Sequence, residues 1–136
     1  MSKQYLSIEQ MLHLKELGVD TSKATFYVNP CHPDKHTFSL GAYNSLMRFS
    51  FTKEPVFTLQ DILDLLPKKL ENRHEEYELT FFYSLESHDW KVQYLNDNVS
   101  FMSYRGGYEL IDVAYEMLCW CAKSGYIKDI IPNTED

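Results

Sequence analysis

Glycine, proline and cysteine are all scarce in this chain. Five glycines and five prolines in 136 residues exclude a collagen-like repeat and a low-complexity linker, both of which need far more of them. Three cysteines, an odd number with Cys119 and Cys121 two apart, make no disulfide framework and fit a reducing compartment. Positive charge is scarce too. Thirteen Lys and Arg against twenty Asp and Glu leave a net charge of −7, so a nucleic acid is repelled before any local contact forms. The densest basic cluster, Lys68, Lys69 and Arg73, is diluted by Glu71, Glu75, Glu76 and Glu78 and reads as a solvated charged connector. No apolar run suffices to cross a bilayer: residues 110–122 come nearest and carry Asp112 and Glu116. The opening MSKQYLSIEQ has one lysine and no apolar stretch behind it, so neither a secretory signal nor a transit peptide is expected, and the expected location is the cytoplasm.

Aromatic residues, by contrast, are plentiful. Ten tyrosines, eight phenylalanines and two tryptophans make up 15% of the chain. Such rings suit half-buried sheet faces and contact surfaces, because the ring packs while a polar handle stays wet. The length predicts a single domain over 1–131 with a frayed tail at 132–136, able to bury a core without disulfide or metal staples.

Helix signals are legible at three places. Ser7 can cap a first helix with Gln10 reaching back to it; Leu6 and Met11 are spaced as a hydrophobic staple, and Gly18 and Val19 as the stop. Glu9, His13 and Glu16 fall on the expected wet side. Thr58 and Asp61 form a second capping pair, with Pro67 ending that helix. A last helix, from about Glu109 to Ser124, confines Glu109, Asp112, Glu116 and Lys123 to one narrow stripe. It is therefore expected either to be sandwiched inside the domain or to close against another subunit.

Period-two patterning predicts strands at 24–29, in TFSLGAY and LMRFSF, and as a three-stranded meander over Tyr77–Leu85, Trp90–Leu95 and Val99–Tyr104. The fold class is therefore α+β: an antiparallel sheet of about five or six strands packed with two or three helices, the C-terminal one central.

Several residue groups have the composition of a site. The segment NPCHPDKH sets Cys31, His32 and His36 close together, but three candidate ligands without a fourth, at no established spacing, favour a proline-stiffened surface loop over a metal centre. Cys31 as a nucleophile lacks a well-placed base, since neighbouring His32 diverges from it in an extended loop. Arg105, Gly106 and Gly107 could form an anion nest before the last helix, yet Glu109 and Asp112 already place negative charge there, which favours a glycine turn. The acidic stripe reads as a solvated face. Phe82, Leu95, Met102 and Tyr104 point away from the expected core and, with Trp120, form a candidate interaction surface. No catalytic residue, metal or cofactor is assigned.

In FTLQDILDLLPKKL, AYEMLCWCAKSGYIKD and IEQMLHLKELGVDTSKA the chain resembles a group of small uncharacterised proteins of gut Bacteroidales, many in prophage or mobile-element settings. The resemblance covers Ile8–Ala24, Phe57–Leu70 and Ala114–Asp129. It implies a cytosolic accessory protein of phage-like ancestry and carries over no catalytic residue. The expected function is non-catalytic recognition of a protein partner through an aromatic surface, with a homodimer as one form. The alternative is a small-molecule-binding domain or modest enzyme, with Tyr83, Trp90, Tyr94 or the Cys31–His36 segment at the mouth of an aromatic cleft.

Overall fold

The computed structural model describes residues 3–29, 32–38, 54–97 and 101–127, with the side chains at 29, 32–38, 101 and 102 outside the description. These residues form three helices and two antiparallel sheets, an α+β fold.

Helix α1 (Ile8–Glu16) starts and stops as its local chemistry dictates. The Ser7 hydroxyl accepts from the Gln10 amide at 3.1 Å, and the Gln10 side chain accepts from the Ser7 amide at 2.9 Å. Leu6 and Met11 are both buried beside this cap. At the other end Gly18 takes φ +88°, and the Val19 amide donates to the Leu14 carbonyl at 3.0 Å, a paired C-terminal cap. Helix α2 (Leu59–Leu65) repeats the device with Thr58 and Asp61, and ends where Leu66, preceding Pro67, turns extended. Asp61 also accepts from the Thr25 amide and hydroxyl at 2.9 and 2.6 Å, tying the start of this helix to the segment ahead of the first strand.

The smaller sheet has the order β2-β1-β3, from β1 (Phe26–Asn29), β2 (His32–Phe38) and β3 (Glu54–Val56). The prolines and charged residues of NPCHPDKH predict a surface loop. Instead His32–Phe38 is a strand, with Val28 opposite His36, Asn29 opposite His32 and a bulge between them. Backbone pairing with β1 prevails here over the low strand preference of proline and charged residues, which are tolerated at an edge. Of the expected strand TFSLGAY only Thr37 and Phe38 are described, at the end of β2; its remainder and LMRFSF lie outside the described residues, as do Val99, Ser100 and the tail at 132–136.

The larger sheet runs β4-β5-β6-β7, from β4 (Lys69–Asn72), β5 (Glu75–Ser84), β6 (Asp89–Leu95) and β7 (Phe101–Gly107). The expected meander is there, with a fourth strand added. KKLENRHEE, expected to be a solvated connector, is a β-hairpin whose two-residue turn, Arg73 and His74, has φ +52° and +71°. One apolar pair anchors it. Leu70 and Tyr77 stand opposite each other and are both buried, while Lys69 pairs with Glu76 at 2.8 Å on the wet side.

Helix α3 (Leu110–Lys123) packs on β6 and β7 and against α2. Seven of its fourteen residues are buried, including Met117, Leu118 and Cys121. Each large side chain so buried contributes roughly 1.5–3 kcal/mol, so this interface dominates the core. The same core takes in Leu14, Val28 and Val56, joining both sheets. The helix is thus sandwiched, the first of the two arrangements its sequence allowed. Its acidic stripe is not simply solvated. Glu109 accepts from the Lys3 amide at 3.2 Å, and Asp112 accepts from the Lys3 ammonium at 2.7 Å and the Gln10 amide group at 3.0 Å, fastening the N-terminal segment and α1 to α3.

Candidate functional site

The face of the larger sheet turned away from α3 is set by strand alternation. Three cross-strand rows lie on it: Glu78 and Leu95; Thr80, Gln93 and Tyr104; Phe82, Lys91 and Gly106. Phe82 and Tyr104 are 41% and 42% exposed, well beyond what a ring keeps in a core, and Leu95 is half-buried. Lys91 lies between the two rings. Its ammonium sits 3.0 Å from Asp89 and 5.3 Å from the centre of the Tyr104 ring, a cation held by a carboxylate and a π face. The Tyr104 hydroxyl and then Asp89 raise the Lys91 pKa, so the amine stays charged. Gly106 leaves room for it, since a Cβ there would stand 2.9 Å from Lys91 Nζ. Met102 lies beside the register shift between Tyr94 and Leu95, and its side chain is outside the description.

At one end of this sheet the aromatic surface continues onto a strand edge that no described strand fully covers. β4 is four residues long and covers only Glu75–Glu78 of the ten-residue β5, with one further bond from the Leu79 amide to the Lys68 carbonyl at 3.0 Å. That bond shows that odd-numbered residues of β5 aim their N–H and C=O groups toward the β4 side. Even-numbered ones serve β6. The backbone groups of Phe81 and Tyr83 therefore point past the end of β4, where no described strand pairs with them. The window that β4 leaves uncovered, Thr80–Ser84, reads TFFYS and has no charge. Around it Tyr83 is 45% and Leu85 80% exposed, and Tyr83 packs edge-to-face on Trp90 with ring centres 5.4 Å apart.

Other residues singled out from the sequence are placed elsewhere. Trp120 lies on α3, across the sheet from Phe82, half-buried and stacked on Tyr126 at 5.5 Å, with Tyr94 at 6.1 Å. Tyr94 is fully buried and its hydroxyl donates to the Pro67 carbonyl at 2.7 Å, so it opens onto no cleft. Arg105, Gly106 and Gly107 are not a turn before the helix but the end of β7. Arg105 donates to the Tyr104 carbonyl at 2.7 Å, and Gly107 lets Val113 of α3 approach, a Cβ there meeting it at 3.1 Å. Close packing against Lys91 and Val113 accounts for these glycines. Cys31 lies outside the described residues, as do the side chains of His32 and His36. Among the described residues no group of three His, Cys, Asp or Glu gathers to hold a metal.

One cleft escaped sequence reading. A depression of about 340 Å³ between α1, β7 and α3 is lined by His13, Arg105, Tyr115, Glu116, Cys119, Trp120 and Lys123. His13, expected on a wet face, is hydrogen-bonded there through Nδ1 to the Tyr115 hydroxyl at 2.8 Å. Burial pushes both the Tyr115 phenol and the Cys119 thiol up, so neither supplies an anionic nucleophile near neutral pH. The Cys121 thiol is likewise pushed up to about 11 by burial. These cysteines are packing residues.

No family model, curated protein or solved structure matches this chain. Among the described residues no helix is long and apolar enough to cross a membrane.

Proposed function

We propose that this chain is a non-catalytic intracellular interaction protein, of the phage or mobile-element accessory kind. It acts by docking another protein on the aromatic surface of β5–β7. The observation that supports this reading is the continuity of exposed Phe82 and Tyr104 on the sheet face with the uncharged window Thr80–Ser84, whose edge on the β4 side no described strand pairs with. Rings offer large contact area at small conformational cost, and an open edge offers backbone hydrogen bonds. The net charge of −7 favours a partner with a basic or neutral contact surface.

The test is a comparison of the wild type with Phe82→Glu/Tyr104→Glu in the native host, by reciprocal capture followed by titration of the purified pair. Both side chains are solvent-facing, so the variant is expected to keep its circular dichroism spectrum and lose the partner. Retention of the partner with unchanged affinity would place the contact surface elsewhere.

A further inference from the structure

We infer that the half of β5 that no described strand covers is completed by β5 of a second copy of this chain, so that two four-stranded sheets join edge to edge about a twofold axis through Phe82. The inference rests on the contact reading above and names its partner.

Three observations favour a second copy. First, the lengths agree. Running antiparallel about Phe82, the incoming strand places Phe81 opposite Tyr83 and Tyr83 opposite Phe81, both pairs with backbone groups aimed at each other; Thr80 meets Ser84 at either end. The five residues that β4 leaves uncovered are met by the same five of the second copy. Second, the window opposes no like charges, whereas the covered half of β5 carries Glu75, Glu76 and Glu78 and would repel a copy of itself. The Phe82 rings face each other across the axis at a pair not bonded through the backbone, where side chains come closest. Third, the ends are complementary. Past Ser84 the incoming strand meets the start of β4, where its exposed Glu86 would join Lys69, already paired with Glu76 at 2.8 Å, and Lys68, whose ammonium donates to the Leu63 and Leu66 carbonyls. An uncharged aromatic edge left open is also an aggregation hazard, which closed twofold pairing removes.

The test is sedimentation of the full chain over a wide concentration range, with two sets of variants. Tyr83→Pro removes an amide that faces the open edge and none that serves β6, so the subunit should keep its fold and become monomeric. Tyr83→Ala keeps the amide and should still dimerise. Phe82→Lys should weaken self-association by roughly tenfold or more through like charges at the axis, and so should Phe82→Glu. Mixing these two should restore a dimer containing one of each. A wild type that stays monomeric at the highest concentration overturns the inference, and so does a dimer indifferent to the Phe82 charges. If the wild type is monomeric yet Phe82→Glu/Tyr104→Glu still releases a native partner, the contact reading stands and only the self-pairing falls.

Discussion

Replacing Tyr94 by Phe tests the frame that decides how much of β5 is covered. Its hydroxyl donates to the carbonyl of Pro67, the residue at which α2 has ended and from which the chain runs into β4. The Cys121 thiol donates weakly to the Tyr94 hydroxyl oxygen at 3.6 Å. Burial raises the phenol far above its ordinary range, so the hydroxyl remains a donor at all working pH values. Deleting it removes one neutral hydrogen bond and leaves a part-buried carbonyl short of its donor, together about 1.5 kcal/mol. For a chain of 136 residues this corresponds to a fall in Tm of about 5 °C. With a urea slope near 2 kcal/mol per molar, the midpoint should drop by ~0.8 M. Paired urea titrations at neutral pH, followed by circular dichroism, read the difference directly. A midpoint within experimental error of the wild type would mean that the Pro67 carbonyl is already served by water, and the docking of β4 through Tyr94 would have to be abandoned.

Gly107→Ala should cost roughly 1–3 kcal/mol by driving a methyl group against Val113. Combined with Val113→Ala it should lose less than the sum of the two single losses, as measured by a double-mutant cycle in urea. In a Cys31→Ala background, Cys119 and Cys121 should resist a thiol reagent in the folded protein and react at once after denaturation, because both are buried with raised pKa values. Equal rates in the two states would contradict that packing. The Ser87 hydroxyl, and then Lys91, hold the Asp89 carboxyl below its usual range, so its contribution is complete above the unfolded carboxylate pKa and disappears as pH falls through the folded one. Asp89→Asn should therefore flatten the decline of stability between neutral and strongly acid pH. Parallel slopes for the two proteins would show that the carboxylate is not linked to folding.

Helix ends were readable because their determinants are local. Ser7 with Gln10, Thr58 with Asp61, and Gly18 each act within one turn of chain, so three to five residues suffice to specify them. The meander was readable for the same reason: Tyr77, Leu79 and Phe81 alternate with wetter neighbours. The hairpin at Lys69–Glu78 was not, since its single apolar pair, Leu70 and Tyr77, is diluted by charged residues that sit harmlessly on a wet strand face. Nor could spacing reveal that His13 meets Tyr115, 102 residues away, or that Glu109 and Asp112 hold Lys3. Trp120 was ambiguous for a related reason: an apolar circumference shows that a helix is covered, not which neighbour covers each side. Of the proposed surface, Phe82, Leu95 and Tyr104 could be assigned to one face by parity alone. The open edge beside them required knowing that β4 stops six residues short of the end of β5, a matter of pairing between strands.

Amide hydrogen exchange at Phe81, Phe82 and Tyr83, measured in dilute and in concentrated protein, tests this edge most directly. The Phe82 amide serves β6 and should be protected under both conditions. Those of Phe81 and Tyr83 should exchange freely when dilute and become protected as the concentration rises. Equal protection of all three in dilute protein, or fast exchange of Phe81 and Tyr83 at every concentration, would contradict an edge that pairs with a second chain.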